Sequence, residues 1–259
     1  MEIIKPFSQK NAVKIVAFGI NFSETISDIE IETIIETIIE TIKEDKIFED
    51  FYSTTSEEIT TIISPDKVMQ QKTSKAGIIF QNNDWQINLS KNMLVVNCTN
   101  YTSWTEISKQ MFIYIKNILK YTKKSISQIT LEYLDEFQIL DIKADWKSKL
   151  FVNNSKYLNN NIKDMDDFWH INQGRYLKLD GIETKVLDTI NIKFFAEQKA
   201  GLKNKVHLLC QHRVTFQEAK KYEDNIEDSF DILHTHTKSI FQNIINENII
   251  KNFTKEDKK

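Results

Sequence analysis

Glycine and proline are scarce: 5 and 2 residues in a chain of 259. That scarcity excludes collagen-like, linker-heavy and Gly-rich phosphate-loop architectures. Cysteine occurs twice, at Cys98 and Cys210, too far apart in sequence for the close Cys/His spacing of a zinc motif. Both lie in apolar, strand-like contexts and read as buried thiols of a reducing compartment. No run approaches the roughly 20 apolar residues that span a bilayer, and no basic stretch followed by an apolar one opens the chain. The expected location is therefore cytoplasmic, with no membrane contact. Also missing are Gly-x-Ser-x-Gly, Gly-x-Gly-x-x-Gly, Gly-x-x-x-x-Gly-Lys and His-Glu-x-x-His. The charge balance is even, 34 basic against 37 acidic residues for a net −3. No global field draws the chain to nucleic acid.

What is present is globular. Hydrophobic residues make up 41% and charged residues 27%, enough for a sizeable core and inconsistent with disorder. Residues 12–22 are near-continuously apolar, as a buried strand requires. Ile-Glu-Thr-Ile repeats over 31–42 and places Ile31, Ile34, Ile35, Ile38, Ile39 and Ile42 on one helical face, with Glu32, Glu36 and Glu40 as an acidic stripe. Short alternating runs at 57–64, 76–81, 85–89 and 93–99 predict an antiparallel meander. Residues 103–121 form an amphipathic helix opened by Ser103 and Glu106 in capping-box spacing. Residues 126–142 predict a strand with Ile129, Leu131 and Tyr133 on one face.

The Asn-rich stretch 153–167 reads as a loop dividing the chain into two parts, 1–150 and 151–259. Beyond it, 168–179, 185–198 and 205–216 predict three strands, with Asp180-Gly181 and Ala200-Gly201 in the connections. One long helix over 226–253 closes the chain. The expected class is α+β: two antiparallel sheet-plus-helix halves with a long C-terminal helix.

The segment 85–104 carries Trp85, a strand-turn-strand hairpin and then Tyr101-Thr-Ser-Trp104. It resembles the central signature of an uncharacterised, sporadically distributed prokaryotic family of about 250-residue proteins. Leu131-Glu132-Tyr133-Leu134-Asp135 stands where that family has an Arg-Tyr-Ile-Asn-like run, with Glu132 replacing the basic residue. Leu233-His234 followed by Phe241 resembles its closing helix. The resemblance implies no activity and no cofactor. Its patchy distribution implies a bacterial defence or toxin–antitoxin-type module.

The histidines and carboxylates are the residues that could carry chemistry. His234 and His236 are two apart on a helix and point about 200° apart, so they cannot share one ion. His207 and His212, five apart on a strand, face opposite sides. His212-Arg213 with Glu218 offers an acid–base and anion-binding set. Asp164, Asp166 and Asp167 offer carboxylates for Mg²⁺. Lysine pairs stand at Lys123-Lys124, Lys220-Lys221 and Lys258-Lys259. The expected function is recognition without catalysis, of a protein partner (a genomic neighbour, or a second copy) or a small ligand. Candidate contact residues are Trp85, Tyr101, Trp104, Trp169, His170, His212, Arg213 and His234, with no catalytic or metal-ligating residue assigned. The alternatives are a metal-dependent nuclease or hydrolase and a nucleic-acid-binding protein.

Overall fold

A computed structural model describes residues 3–8, 10–42, 48, 50–64, 67–158, 160–165, 168–197, 203–221 and 224–253, the side chains of 41–42, 56–75, 160, 163 and 252–253 excepted. Among these residues, ten strands and five helices follow the order β1 (Ile4–Pro6), β2 (Val13–Phe22), α1 (Asp28–Ile42), β3 (Tyr52–Ser64), β4 (Lys67–Gln81), β5 (Trp85–Ser90), β6 (Met93–Cys98), α2 (Trp104–Thr122), β7 (Ile126–Ile139), α3 (Trp146–Leu150), β8 (Trp169–Leu177), β9 (Val186–Glu197), β10 (Lys203–Lys220), α4 (Ile226–Ile244) and α5 (Glu247–Phe253). The class is α+β, built on one large antiparallel sheet of order β3-β4-β5-β6-β2-β7-β10-β9-β8, with β1 added to β7.

The sheet runs unbroken across the predicted boundary at 150. β7 pairs with β2 on one side and with β10 on the other. Alternation then sorts the side chains. In β7, Ile129, Leu131, Tyr133, Asp135, Phe137 and Ile139 are buried on one face, while Gln128, Thr130, Glu132 and Leu134 lie half-exposed on the other. The helices pack on the first face over two apolar clusters, and each cluster mixes residues from before and after position 150.

Helix α1 shows how packing overrides propensity. Its Ile and Thr residues disfavour helix by roughly 0.5 kcal/mol each relative to Ala. Burying Ile31, Ile34, Ile35 and Ile38 returns roughly 1.5–3 kcal/mol per side chain, which outweighs that cost. A capping box fixes its start: Ser27 N–H donates to Glu30 Oε2 at 2.9 Å, and Glu30 N–H donates to Ser27 Oγ at 3.3 Å. In α2 the expected cap is present, with Ser103 Oγ accepting from Glu106 N–H.

Two expectations need correction. The closing helix is not continuous, because Ile245 adopts extended backbone between α4 and α5 and bridges to Phe151. The stretch 153–167 is also more than a loop: Tyr157 and Ile162 are buried, and residues Asn160–Asp164 form a 3-10 turn. The predicted Ala200-Gly201 turn lies outside the described residues. Among those described, no helix is long and apolar enough to cross a membrane.

Candidate functional site

Two polar clusters lie between the sheet and α4. The first is a chamber of about 130 Å³ lined by Asn11, Ala12, Val13, Tyr101, Tyr133, Asp135, His234, Thr237 and Phe241. Strand alternation supplies Tyr133 and Asp135 two residues apart on the covered face, opposite Val16 and Val13 of β2. The register of β2 on β7 shifts between Val13, a lining residue, and Ile15. Helical spacing of three and seven supplies His234, Thr237 and Phe241 from one face of α4. Tyr101 comes from the turn before α2, held through its carbonyl by Asn11 Nδ2 at 3.0 Å.

Asp135 is 4% exposed, and no donor among the described residues contacts its carboxylate. Burial alone pushes its pKa up to about 7. His234 moves the other way, down to about 4, through burial first and then the charge of Lys238. Burial also raises Tyr101 to about 12 and Tyr133 well above the ordinary phenol range. At neutral pH Asp135 is therefore the one group in the lining that takes up charge, and that charge is negative. The walls are aromatic and ordered. Tyr133 Oη and His234 Nδ1 share a hydrogen bond of 2.9 Å. Trp104 stacks on the His234 ring at 4.2 Å between centroids and 3° between planes. Trp104 Nε1 donates to Asp231 Oδ1 at 2.7 Å. The amide oxygen of Asn11 is buried without a partner among the described residues. The chamber wall thus carries one carboxylate, Asp135, that meets no donor among the described residues, and the Asn11 oxygen buried nearby meets none either.

The second cluster lies one row along the sheet. Arg175 of β8, Asp188 of β9 and His212 of β10 are direct cross-strand neighbours. Asp188 Oδ1 contacts His212 Nδ1 at 2.8 Å, and Asp188 Oδ2 contacts His236 Nε2 of α4 at 2.8 Å and Arg175 at 3.4 Å. Arg175 in turn donates to Tyr157 Oη at 2.8 Å. Asp188 and His212 are 1% and 0% exposed. Burial pushes the Asp188 carboxyl up, but the hydrogen bonds from His212 and His236 outweigh it and hold the pKa below the ordinary range. Burial lowers His212, against the pull of Asp188. A neutral His212 thus donates Nδ1–H into an ionised carboxylate, and its Nε2 is buried without a partner among the described residues. One ligand atom each from Asp188, His212 and His236 lies within 4.8 Å of the others, a donor set that suits zinc or another transition metal.

Of the eight candidate residues, the structure brings together Tyr101, Trp104 and His234. His212 belongs to the second cluster. Trp85 is buried in the main core with its ring edge-on to Tyr114 at 5.2 Å, and Trp169 is buried in the other cluster near Phe151 and Phe194. His170 sits on the opposite sheet face, bonded to Asn191 at 3.0 Å. Arg213 is on that face too, so alternation separates it from His212, and Glu218 lies exposed near the end of β10. The His212-Arg213-Glu218 set is not formed. His234 and His236 serve separate clusters, as their spacing requires. Asp164 is exposed; Asp166 and Asp167 lie outside the described residues.

Sequence reasoning missed Tyr133, Asp135, Asp188 and His236 as site residues. A signal existed for the two carboxylates: each falls in phase with buried apolar residues of its strand, Asp135 with Leu131 and Phe137, Asp188 with Val186 and Ile190. Compared with known proteins, the chain matches no family model and no curated protein.

Proposed function

We propose that the chain is a recognition protein whose chamber takes the head group of a small, donor-rich cation, a primary ammonium or an amidinium. The observation that carries this reading is Asp135, buried beside a cavity and without a donor among the described residues. A buried carboxylate is stable in its charged form only when a cation or several donors meet it. The neighbouring Asn11 oxygen has no donor among the described residues either, and the aromatic rings of Tyr101, Tyr133 and His234 favour a cation over an anion. A neutral His234 leaves no competing positive charge in the lining.

The cavity holds a few non-hydrogen atoms, since one water occupies about 30 Å³ in the liquid. At a ceiling of about 1.5 kcal/mol per atom, a five-atom head contributes at most about 7 kcal/mol, a Kd on the order of 10 µM. The resemblance of residues 85–104 to the sporadically distributed family extends the reading: a non-catalytic regulator in the cytoplasm, acting with a protein partner in a defence or toxin–antitoxin-type module.

Calorimetry with ethylammonium, guanidinium, acetamidinium and their neutral isosteres tests the chamber. One-to-one binding of a cation is expected. It should weaken below pH 7 as Asp135 takes up a proton, and drop at least tenfold in Asp135→Asn. Failure of every cation to bind, or equal binding by the variant, refutes the reading.

A metal-dependent hydrolase is the second reading, favoured by Asp188, His212 and His236. We rank it second because His212, His236 and Arg175 already fill that carboxylate's acceptor sites. Stoichiometric zinc, cobalt or manganese uptake that disappears in His236→Ala would reverse the ranking. Absence of uptake removes this reading.

A further inference from the structure

The lysine pairs at 123–124 and 220–221 are separated by almost a hundred residues, yet the sheet brings them together. Ile126, the first residue of β7, pairs with Lys220, the last residue of β10. The turn that leaves α2 therefore lies beside the exit of β10. The last turns of α2 add Lys116 and Lys120, four residues apart on one helical face. Lys123 caps that helix in left-handed backbone (φ 52°), with its N–H donated to the Leu119 carbonyl at 3.3 Å.

The result is a concavity of about 320 Å³ lined by Lys116, Lys120, Lys123, Lys124 and Lys221, together with Leu119 and Ser125. Only one of these five ammonium groups has a carboxylate partner among the described residues: Lys124, with the half-exposed Glu30 at 3.2 Å. Lys120 rests on Asn117 Oδ1 at 3.2 Å and over the Tyr121 ring at 4.9 Å. Asp224 takes the backbone N–H of Lys221 at 2.7 Å, and Glu183 holds the neighbouring Lys220. The partial negative charge at a helix C-terminus, about half a unit, supports lysines there but does not cancel five of them. A chain of net charge −3 thus concentrates positive charge around one hollow with the volume of roughly ten waters.

We propose that this hollow binds consecutive phosphate groups, such as those of a nucleotide polyphosphate or a nucleic-acid backbone. Lysine ammoniums act as point charges that pair with phosphate oxygens without demanding one geometry. Several converging ammoniums select a ligand with several adjacent negative charges over a single carboxylate. The site is independent of the chamber: Tyr133 lies seven residue steps along β7 from Ile126, roughly 23 Å at strand rise.

Inorganic tripolyphosphate is the probe, titrated into the full chain at 50 mM salt and again at 200 mM. Sub-millimolar one-to-one binding that weakens several-fold at the higher salt is expected. The double variant Lys116→Glu/Lys123→Glu should lose at least tenfold in affinity. Its thermal midpoint should stay near that of the wild type, because both side chains border solvent. Lys193→Glu, on the opposite face of the sheet, should bind as wild type does. Nucleoside triphosphates and 20-nucleotide single- and double-stranded oligonucleotides then distinguish the sources. Tighter binding of a triphosphate assigns a nucleotide site, and tighter, steeply salt-dependent binding of an oligonucleotide assigns a backbone site. No tripolyphosphate binding at 1 mM, or binding unchanged by the double charge reversal, overturns the proposal.

Discussion

Asp135→Asn should make the protein more stable at neutral and alkaline pH, against the usual direction for a change in a well-packed interior. Burial holds the Asp135 pKa at about 7 against an ordinary 3.8. The folded state therefore binds a proton that the unfolded state has already released. Stability falls as pH rises through this window and levels off above about 7. At 1.36 kcal/mol per pKa unit, the ionised carboxylate costs the fold about 4 kcal/mol at pH 8. Asparagine has nearly the same shape and no charge to desolvate. Urea unfolding of both proteins at half-unit intervals from pH 4 to pH 8.5 reads the difference directly. The variant should match the wild type near pH 4 and exceed it progressively toward pH 8. Even half of the full effect, about 2 kcal/mol, shifts the thermal midpoint by roughly 4–8 °C in a chain of this size. A difference that does not change with pH, or a variant less stable at pH 8, refutes the description of Asp135 as a carboxylate without partners.

The second cluster has the opposite sign. Asp188 is held below the ordinary carboxylate range, so its contribution is present above pH 4 and is lost as pH falls. Asp188→Asn should cost about 3–5 kcal/mol at pH 7 by leaving buried donors unmatched, and the gap to the wild type should narrow in acid denaturation below pH 4. Trp104→Ala removes the stack on His234 and should cost about 3 kcal/mol. It also exposes the imidazole, so the His234 pKa should rise from about 4 toward the ordinary value, as imidazole nitrogen shifts in an NMR titration would show.

Where the polypeptide has one strong local signal, the sequence was readable. The apolar run of β2, the capping box and apolar stripe of α2, and the β5–β6 hairpin follow from periodicity and turn chemistry alone. The joining of all strands into one sheet did not follow, because the pairing of β7 with β10 links residues about 80 apart and leaves no local mark. The break at Ile245 was hidden as well, since Ile244, Ile245 and Ile249 continue a helical apolar pattern and only the bridge to Phe151 opposes it. Trp85 and Trp169 read equally well as ligand-facing or as core, because an indole's apolar area serves both; only their packing distinguishes the two. The chamber was partly visible through Tyr101, Trp104 and His234. Its central residue, Asp135, lies within the predicted strand 126–142, but the apolar face was followed only through Ile129, Leu131 and Tyr133, one alternation short of the carboxylate.

Carbon-13 NMR of the Asp135 side chain tests most directly whether this carboxyl is unpaired in the free protein and meets a cation on binding. In the free protein this carboxyl should titrate at about 7, and saturating ammonium or amidinium ligand should lower its pKa. Titration near 4 in the free protein, or a pKa unmoved by every such ligand, would contradict the account.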